Sequence, residues 1–176
     1  MSHTGSPDPT GAAYDAEPVS AGFSAADWRL LTRLPGQVIV AARTAGPDDP
    51  VRAVTEGLAG LDGIAAGRAF DSELVRAVVA TIYAESEAQR PAPGPPEHTQ
   101  LDELRDACRA AVRVLDRHAD PADSAAYRQW VQSVAARVCR AAGTDGQSRA
   151  PGEPLSPRQR RFLDDLGTAL GLRSAG

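Results

Sequence analysis

Apolar residues in this chain recur at helical rather than strand spacing. From Phe23 onward, Trp28, Leu31, Leu34 and Val38 stand along one face of a helix. Ser24 and Asp27 occupy the N-cap and N3 positions, as in a capping box with Asp in place of Glu, and Phe23 and Trp28 form a hydrophobic staple around them. Pro35 removes a backbone donor in mid-run and predicts a kink or a break. Asp49-Pro50 then supplies an N-cap and an N1 proline for a second helix, whose expected apolar face is Val51, Val54, Leu58, Leu61 and Ile64. Gly57, Gly60 and Gly63 weaken that helix by about 1 kcal/mol each relative to Ala, a cost that makes sense where another backbone passes close by. Asp71 is the expected cap of a third helix with the stripe Leu74, Val75, Val78, Val79, Ile82 and Tyr83.

Pro91, Pro93, Pro95 and Pro96 make residues 88–98 an extended, semi-rigid linker. Beyond it Thr99 and Asp102 form another capping pair, and Leu101, Leu104, Cys108, Ala111, Val112 and Leu115 line a fourth helix. Asp120-Pro121 opens a fifth, carrying Tyr127, Trp130, Val131, Val134 and Val138. After a polar loop at 143–154, Ser156, Pro157 and Gln159 combine N-cap, N1 proline and N3 glutamine. The last helix buries Phe162, Leu163, Leu166 and Leu170, and Gly171 suits the C′ position. No segment alternates with period two. The expected fold is an all-α bundle of about six helices, with halves 23–87 and 99–172 forming one compact domain behind a disordered tail, 1–22.

The two halves echo each other. Ser24–Ile64 and Ser124–Leu170 both read as an aromatic-led helix, a small-residue stretch, a polar loop and a second helix with a polar residue at its third position. Ala42-Arg43-Thr44-Ala45-Gly46 lines up with Cys139-Arg140-Ala141-Ala142-Gly143, and Glu56 with Gln159 across a longer second loop. Such a unit cannot bury its apolar face alone, and duplication explains the architecture.

Composition narrows the function classes. Hydrophobic residues make up 42% of the 176 but aromatics only 5%, so stability rests on many modest contacts between small side chains. A net charge of −4 gives no general attraction to nucleic acid or anionic membrane. No apolar run approaches the roughly 20 residues needed to span a bilayer, and residues 1–22 lack the basic and apolar regions of a secretory signal. The chain therefore reads as cytoplasmic. Cys108 and Cys139 belong to no CxxC unit; they fit either two buried thiols or a disulfide between their helices.

No nucleophile elbow, P-loop, dinucleotide fingerprint or HExxH occurs, so no catalytic residue and no organic cofactor is assigned. His3 and His98 fall in the tail and the linker, while His118 sits near a helix end, where a protonated imidazole complements the dipole. Asp48, Asp49 and Glu56, with Asp145 in the second copy, are the candidate oxygen ligands for a divalent cation such as calcium or magnesium. Loop carboxylates and caps explain the same residues without a metal. Arg158, Arg160 and Arg161 oppose the dipole at the start of the last helix, which marks them as candidate contacts to an acidic partner. The leading expectation is a non-enzymatic scaffold or protein-interaction domain. A homodimer is a further expectation, because small-residue stripes let helices pair closely.

Two copies of small-residue helix, Asp/Gly loop and Ser/Pro-x-x-Glu/Gln opening resemble the tellurite-resistance TerB-like proteins over Ala41–Leu61 and Ala135–Leu170. The resemblance implies an all-helical domain, a stress-response setting and, in some members, divalent metal at paired acidic sites. By position those sites would use Asp48 or Asp49 with Glu56, and Asp145 with Gln159. The first loop here reads Gly46-Pro47-Asp48-Asp49-Pro50 rather than Asp-Gly, and Gln159 carries no charge. Both departures weaken a site that depends on several carboxylates.

Overall fold

The computed structural model describes residues 18–45, 50–88, 101–141 and 155–172. These hold six α-helices and no strand: α1 Ala25–Thr44, α2 Pro50–Ala66, α3 Glu73–Ala88, α4 Leu101–His118, α5 Pro121–Ala141 and α6 Pro157–Ala169. The all-α expectation holds. Within the expected tail, Val19–Gly22 forms a 3₁₀ turn and Val19 packs against the core, while residues 1–17 lie outside the described residues. A second 3₁₀ turn, Gly67–Ala69, carries α2 toward α3.

Local signals set most helix starts. The Ser24 hydroxyl accepts from the Asp27 N–H at 3.1 Å and donates to the Asp27 carboxylate at 2.7 Å, with Phe23 and Trp28 ring centroids 5.7 Å apart beside them. Asp120 Oδ1 accepts from the N–H groups of Ala122 and Asp123, and Ser156 with Gln159 forms a full capping box. Gly171, at φ 67°, terminates α6 as the C′ position requires. The start of α3 differs from expectation. Ser72, one residue after Asp71, accepts from the Val75 N–H at 3.2 Å and donates to Asp123 Oδ1 at 2.5 Å. Ser72, rather than the exposed Asp71, thereby caps α3 and ties it to α5.

Helix α5 is the axis of the fold and packs on all five other helices. Its inner face carries Tyr127, Trp130, Val131, Val134 and Val138, all without solvent exposure. Helix α2 packs on it most extensively, and α1 packs on it while touching α2, α3 and α4 as well. Contrary to the expected break, α1 continues through Pro35, which is buried within it. A proline there still leaves the carbonyl four residues earlier, that of Leu31, without its helical donor. The Tyr127 hydroxyl, buried on α5, donates to the Leu31 carbonyl at 2.7 Å. Burial above all, and then the nearby Cys108 thiol, holds this hydroxyl well above the ordinary tyrosine range, so it remains a donor.

Packing of α2 reverses the expected polarity of that helix. Val54, Leu58 and Leu61 are 64%, 59% and 56% exposed, and only Ile64 of the described expected face is buried. Instead Gly60, Gly63 and Gly67 face inward. A Cβ on Gly60 would come within 2.7 Å of Ile39 Cγ1, one on Gly63 within 3.1 Å of Val134 Cα, and one on Gly67 within 2.7 Å of Trp130 Nε1. Trp130 uses this closeness to donate from Nε1 to the Gly63 carbonyl at 3.1 Å. Bulky side chains on that face would hold the helices apart and lose both the hydrogen bond and the dispersion contacts. Val51 has its side chain outside the described residues.

Cys108 and Cys139 are both buried and are not joined in a disulfide. Burial pushes the Cys108 thiol up to about 12, so it is a core thiol rather than a nucleophile.

Removing the Tyr127 hydroxyl with Tyr127→Phe leaves the Leu31 carbonyl buried and unpaired, and urea unfolding should lose about 1–3 kcal/mol. Pro35→Ala returns an N–H to the same carbonyl. In that background Tyr127→Phe should cost less by about 1 kcal/mol, and equal costs in the two backgrounds would refute the pairing of these residues. A Cβ on Gly57 meets nothing within 4 Å. Gly57→Ala should therefore stabilise by up to about 1 kcal/mol, whereas Gly67→Ala should destabilise, both read from thermal melts.

Candidate functional site

Three helix segments leave a hollow at one end of the bundle: the last turns of α1, the start of α4 and the length of α6. The cavity is about 140 Å³ in volume. Ala41 and Ala45 from α1, Leu104 from α4, and Phe162, Leu166 and Ala169 from α6 form its buried apolar walls. Each element supplies them for a local reason. Ala41 and Ala45 belong to the small-residue end of α1, and the capping box that starts α6 phases Phe162, Leu166 and Ala169 onto one stripe. Thr44 also lines the hollow, but its hydroxyl donates to the Ala41 carbonyl at 2.8 Å and so offers the cavity only lone pairs.

Charge gathers at the mouth. Arg105, Arg158, Arg161 and Asp165 line the cavity together. Arg105 bonds Asp165 at 2.6 Å and Asp102 at 3.1 Å, and these carboxylates, Asp165 foremost, raise the pKa of its guanidinium further. Arg158 and Arg161 are exposed, and among the described residues neither side chain makes a hydrogen bond or an ion pair. Two of the three arginines singled out in the sequence thus converge on the cavity. Arg160 is exposed and does not line it. Sequence spacing accounts for the first two, one turn apart on α6; the contribution of α4 and α1 carried no sequence signal.

Of the acidic candidates, the structure describes Glu56 alone. Asp48, Asp49 and Asp145 lie outside the described residues. Glu56 is 3% exposed, on the inward side of α2. Its aligned counterpart Gln159 is 2% exposed and fully engaged: its Oε1 accepts from the Ser156 N–H at 3.0 Å, and its Nε2 donates to the Cys139 carbonyl at 3.0 Å. Among the described residues no three His, Cys, Asp or Glu side chains gather where they could hold a metal ion. His118 stands in the last turn of α4 with its ring 5.9 Å from that of Phe23. His3 and His98 lie outside the described residues, as do Thr99 and the cap position Asp49.

Two other surfaces have chemical character. A concavity of about 280 Å³ beside the α4–α5 turn contains Arg128, which donates to Asp116 and, at 2.8 Å, to the Ser124 hydroxyl. Its guanidinium is committed to joining α4 to α5. The second is the outer side of α2, where Val54, Leu58 and Leu61 stand in line. Sequence periodicity assigned those three to the core. The glycine spacing at 60, 63 and 67 was the signal that the opposite side faces inward.

Comparison with known proteins finds no matching family model, curated protein or solved structure. Among the described residues no helix is long and apolar enough to cross a membrane.

Gln159 works through both ends of its amide, which a carboxylate cannot reproduce. Gln159→Glu keeps the acceptor for Ser156 but sets an anion against the Cys139 carbonyl, and should cost about 1–3 kcal/mol at pH 7. Burial raises the pKa of the new carboxyl, and once protonated it donates again. The penalty should shrink as pH falls toward 4.5; a pH-independent penalty in urea titrations would contradict this role.

Proposed function

We propose that this chain is a non-enzymatic helical scaffold that docks a helix of a protein partner along the outer face of α2. One observation carries the reading: Val54, Leu58 and Leu61, at positions i, i+4 and i+7, are each more than half exposed. They form an apolar line about 10 Å long on a helix whose other side is packed into the core. Large apolar side chains aligned on a solvent face weigh against solubility unless something covers them, and an amphipathic helix laid along such a line is a common occupant. Gly57 strengthens the reading. It costs helix stability, meets nothing within 4 Å inside the molecule, and would let a partner backbone come close to α2. The resemblance to TerB-like proteins suggests a stress-response setting for such a scaffold.

The partner helix belongs to another protein or to a second copy of this chain, and one experiment separates them. A photo-crosslinking amino acid is placed in turn at Leu58, Leu61 and, as a control, the exposed Glu103, and adducts are identified by mass spectrometry after irradiation in cells. Positions 58 and 61 should give one recurrent adduct that position 103 lacks, and Leu58→Asp with Leu61→Asp should abolish docking without lowering the melting temperature. Adducts no more frequent at 58 and 61 than at 103 would end the proposal. An adduct of this chain with itself would identify a homodimer.

A further inference from the structure

We propose that the cavity between α1, α4 and α6 binds a small organic carboxylate with an apolar body the size of one aromatic ring. This site is separate from the outer face of α2. Size limits the guest first. A cavity of about 140 Å³ is close to the roughly 150 Å³ apolar cavity that accepts a benzene molecule, and well below the roughly 300–1,000 Å³ of drug-sized sites. The walls limit its chemistry next. Leu104, Phe162 and Leu166, with three alanines, present hydrocarbon and one aromatic ring, and Thr44 has already spent its proton on Ala41. The guest inside must be apolar, because the walls have no donor to satisfy a buried polar group.

Charge complementarity then fixes the other end. The lining holds three arginines against Asp165, and the Asp165 charge is answered by Arg105 at 2.6 Å. Among the described residues the side chains of Arg158 and Arg161 have no partner at the mouth, and they stand one helical turn apart on α6. Two planar guanidinium groups beside an apolar hole match a carboxylate held outside while its hydrocarbon is inside. Only part of the rim is cationic, and Asp165 disfavours a guest with more than one negative charge. A monocarboxylate fits better than a dianionic phosphate.

Calorimetric titration of the full-length protein with 4-phenylbutyrate tests the proposal, with 4-phenylbutyramide and acetate as companions. The carboxylate should bind at least about tenfold more tightly than the amide of the same shape, and acetate should not bind measurably. Arg158→Gln with Arg161→Gln, both on exposed side chains, should erase that preference and leave the amide unaffected. Ala169→Leu fills the cavity and should abolish binding of both, with Ala45→Leu as a second plug should the first lower the melting temperature. Amide-proton NMR should place the phenylbutyrate-induced shifts at Ala41, Ala45 and Ala169. Equal affinity for amide and carboxylate, binding that survives a folded plug variant, shifts elsewhere, or no binding up to about 10 mM phenylbutyrate would each overturn the site, given that even a weak ligand of this size reaches millimolar affinity.

Discussion

The arrangement of this bundle turns on a single carbonyl. Pro35 sits inside α1, so the Leu31 carbonyl has no helical donor, and it is fully enclosed. A buried unpaired carbonyl costs more than a typical hydrogen bond returns, so something must supply a donor. Tyr127 supplies it from α5 at 2.7 Å. That bond ties α5 to α1 at a fixed depth, and the same face of α5 then reaches α2. One turn further along α5, the same inner face brings Trp130 into edge contact with Tyr127, at 5.8 Å between ring centroids, and aims its indole N–H at the Gly63 carbonyl.

This second bond explains the reversal of α2. An indole can reach a helix carbonyl only where the helix surface is bare, and the inward glycines keep it bare. Once that side is committed to the core, Val54, Leu58 and Leu61 have nowhere to go but outward. The exposed apolar line is thus a geometric consequence of the core. Its exposure along one side of α2 is what makes it a docking surface in our reading. A chain with large side chains inward and polar ones outward would form a comparable helix, but it could not bring α2 this close to α5.

Helix α6 is held by different means. Gln159 joins the capping box that starts α6 to the Cys139 carbonyl near the end of α5, so one buried amide positions a whole helix. The same start directs Arg158 and Arg161 to the mouth of a cavity and Phe162 and Leu166 into its wall. The arginines oppose the helix dipole and make no compensating contact among the described residues. Local electrostatics does not favour them there, which is consistent with their serving a guest of opposite charge.

Much of the helical layout was legible in the chain. The staple at Phe23 and Trp28, the caps at Ser24, Asp120 and Ser156, and the C′ glycine at 171 all involve partners within about five residues, so the information is local and the reading is direct. The α3 cap was off by one residue because Ser72 is also chosen by Asp123, 51 positions away. The inward side of α2, the donor that rescues the Leu31 carbonyl and the meeting of α1, α4 and α6 around a cavity depend on residues far apart in sequence. Hydrophobic periodicity ranks the faces of a helix by side-chain transfer energy, and on that basis the leucines of α2 belonged inside. The chain alone determined that there would be helices, where most begin, and that Pro35 would leave a carbonyl wanting. Tertiary structure decided which donor answers it and which face of α2 meets water, because close backbone approach and buried hydrogen bonds outweigh the burial of three apolar side chains.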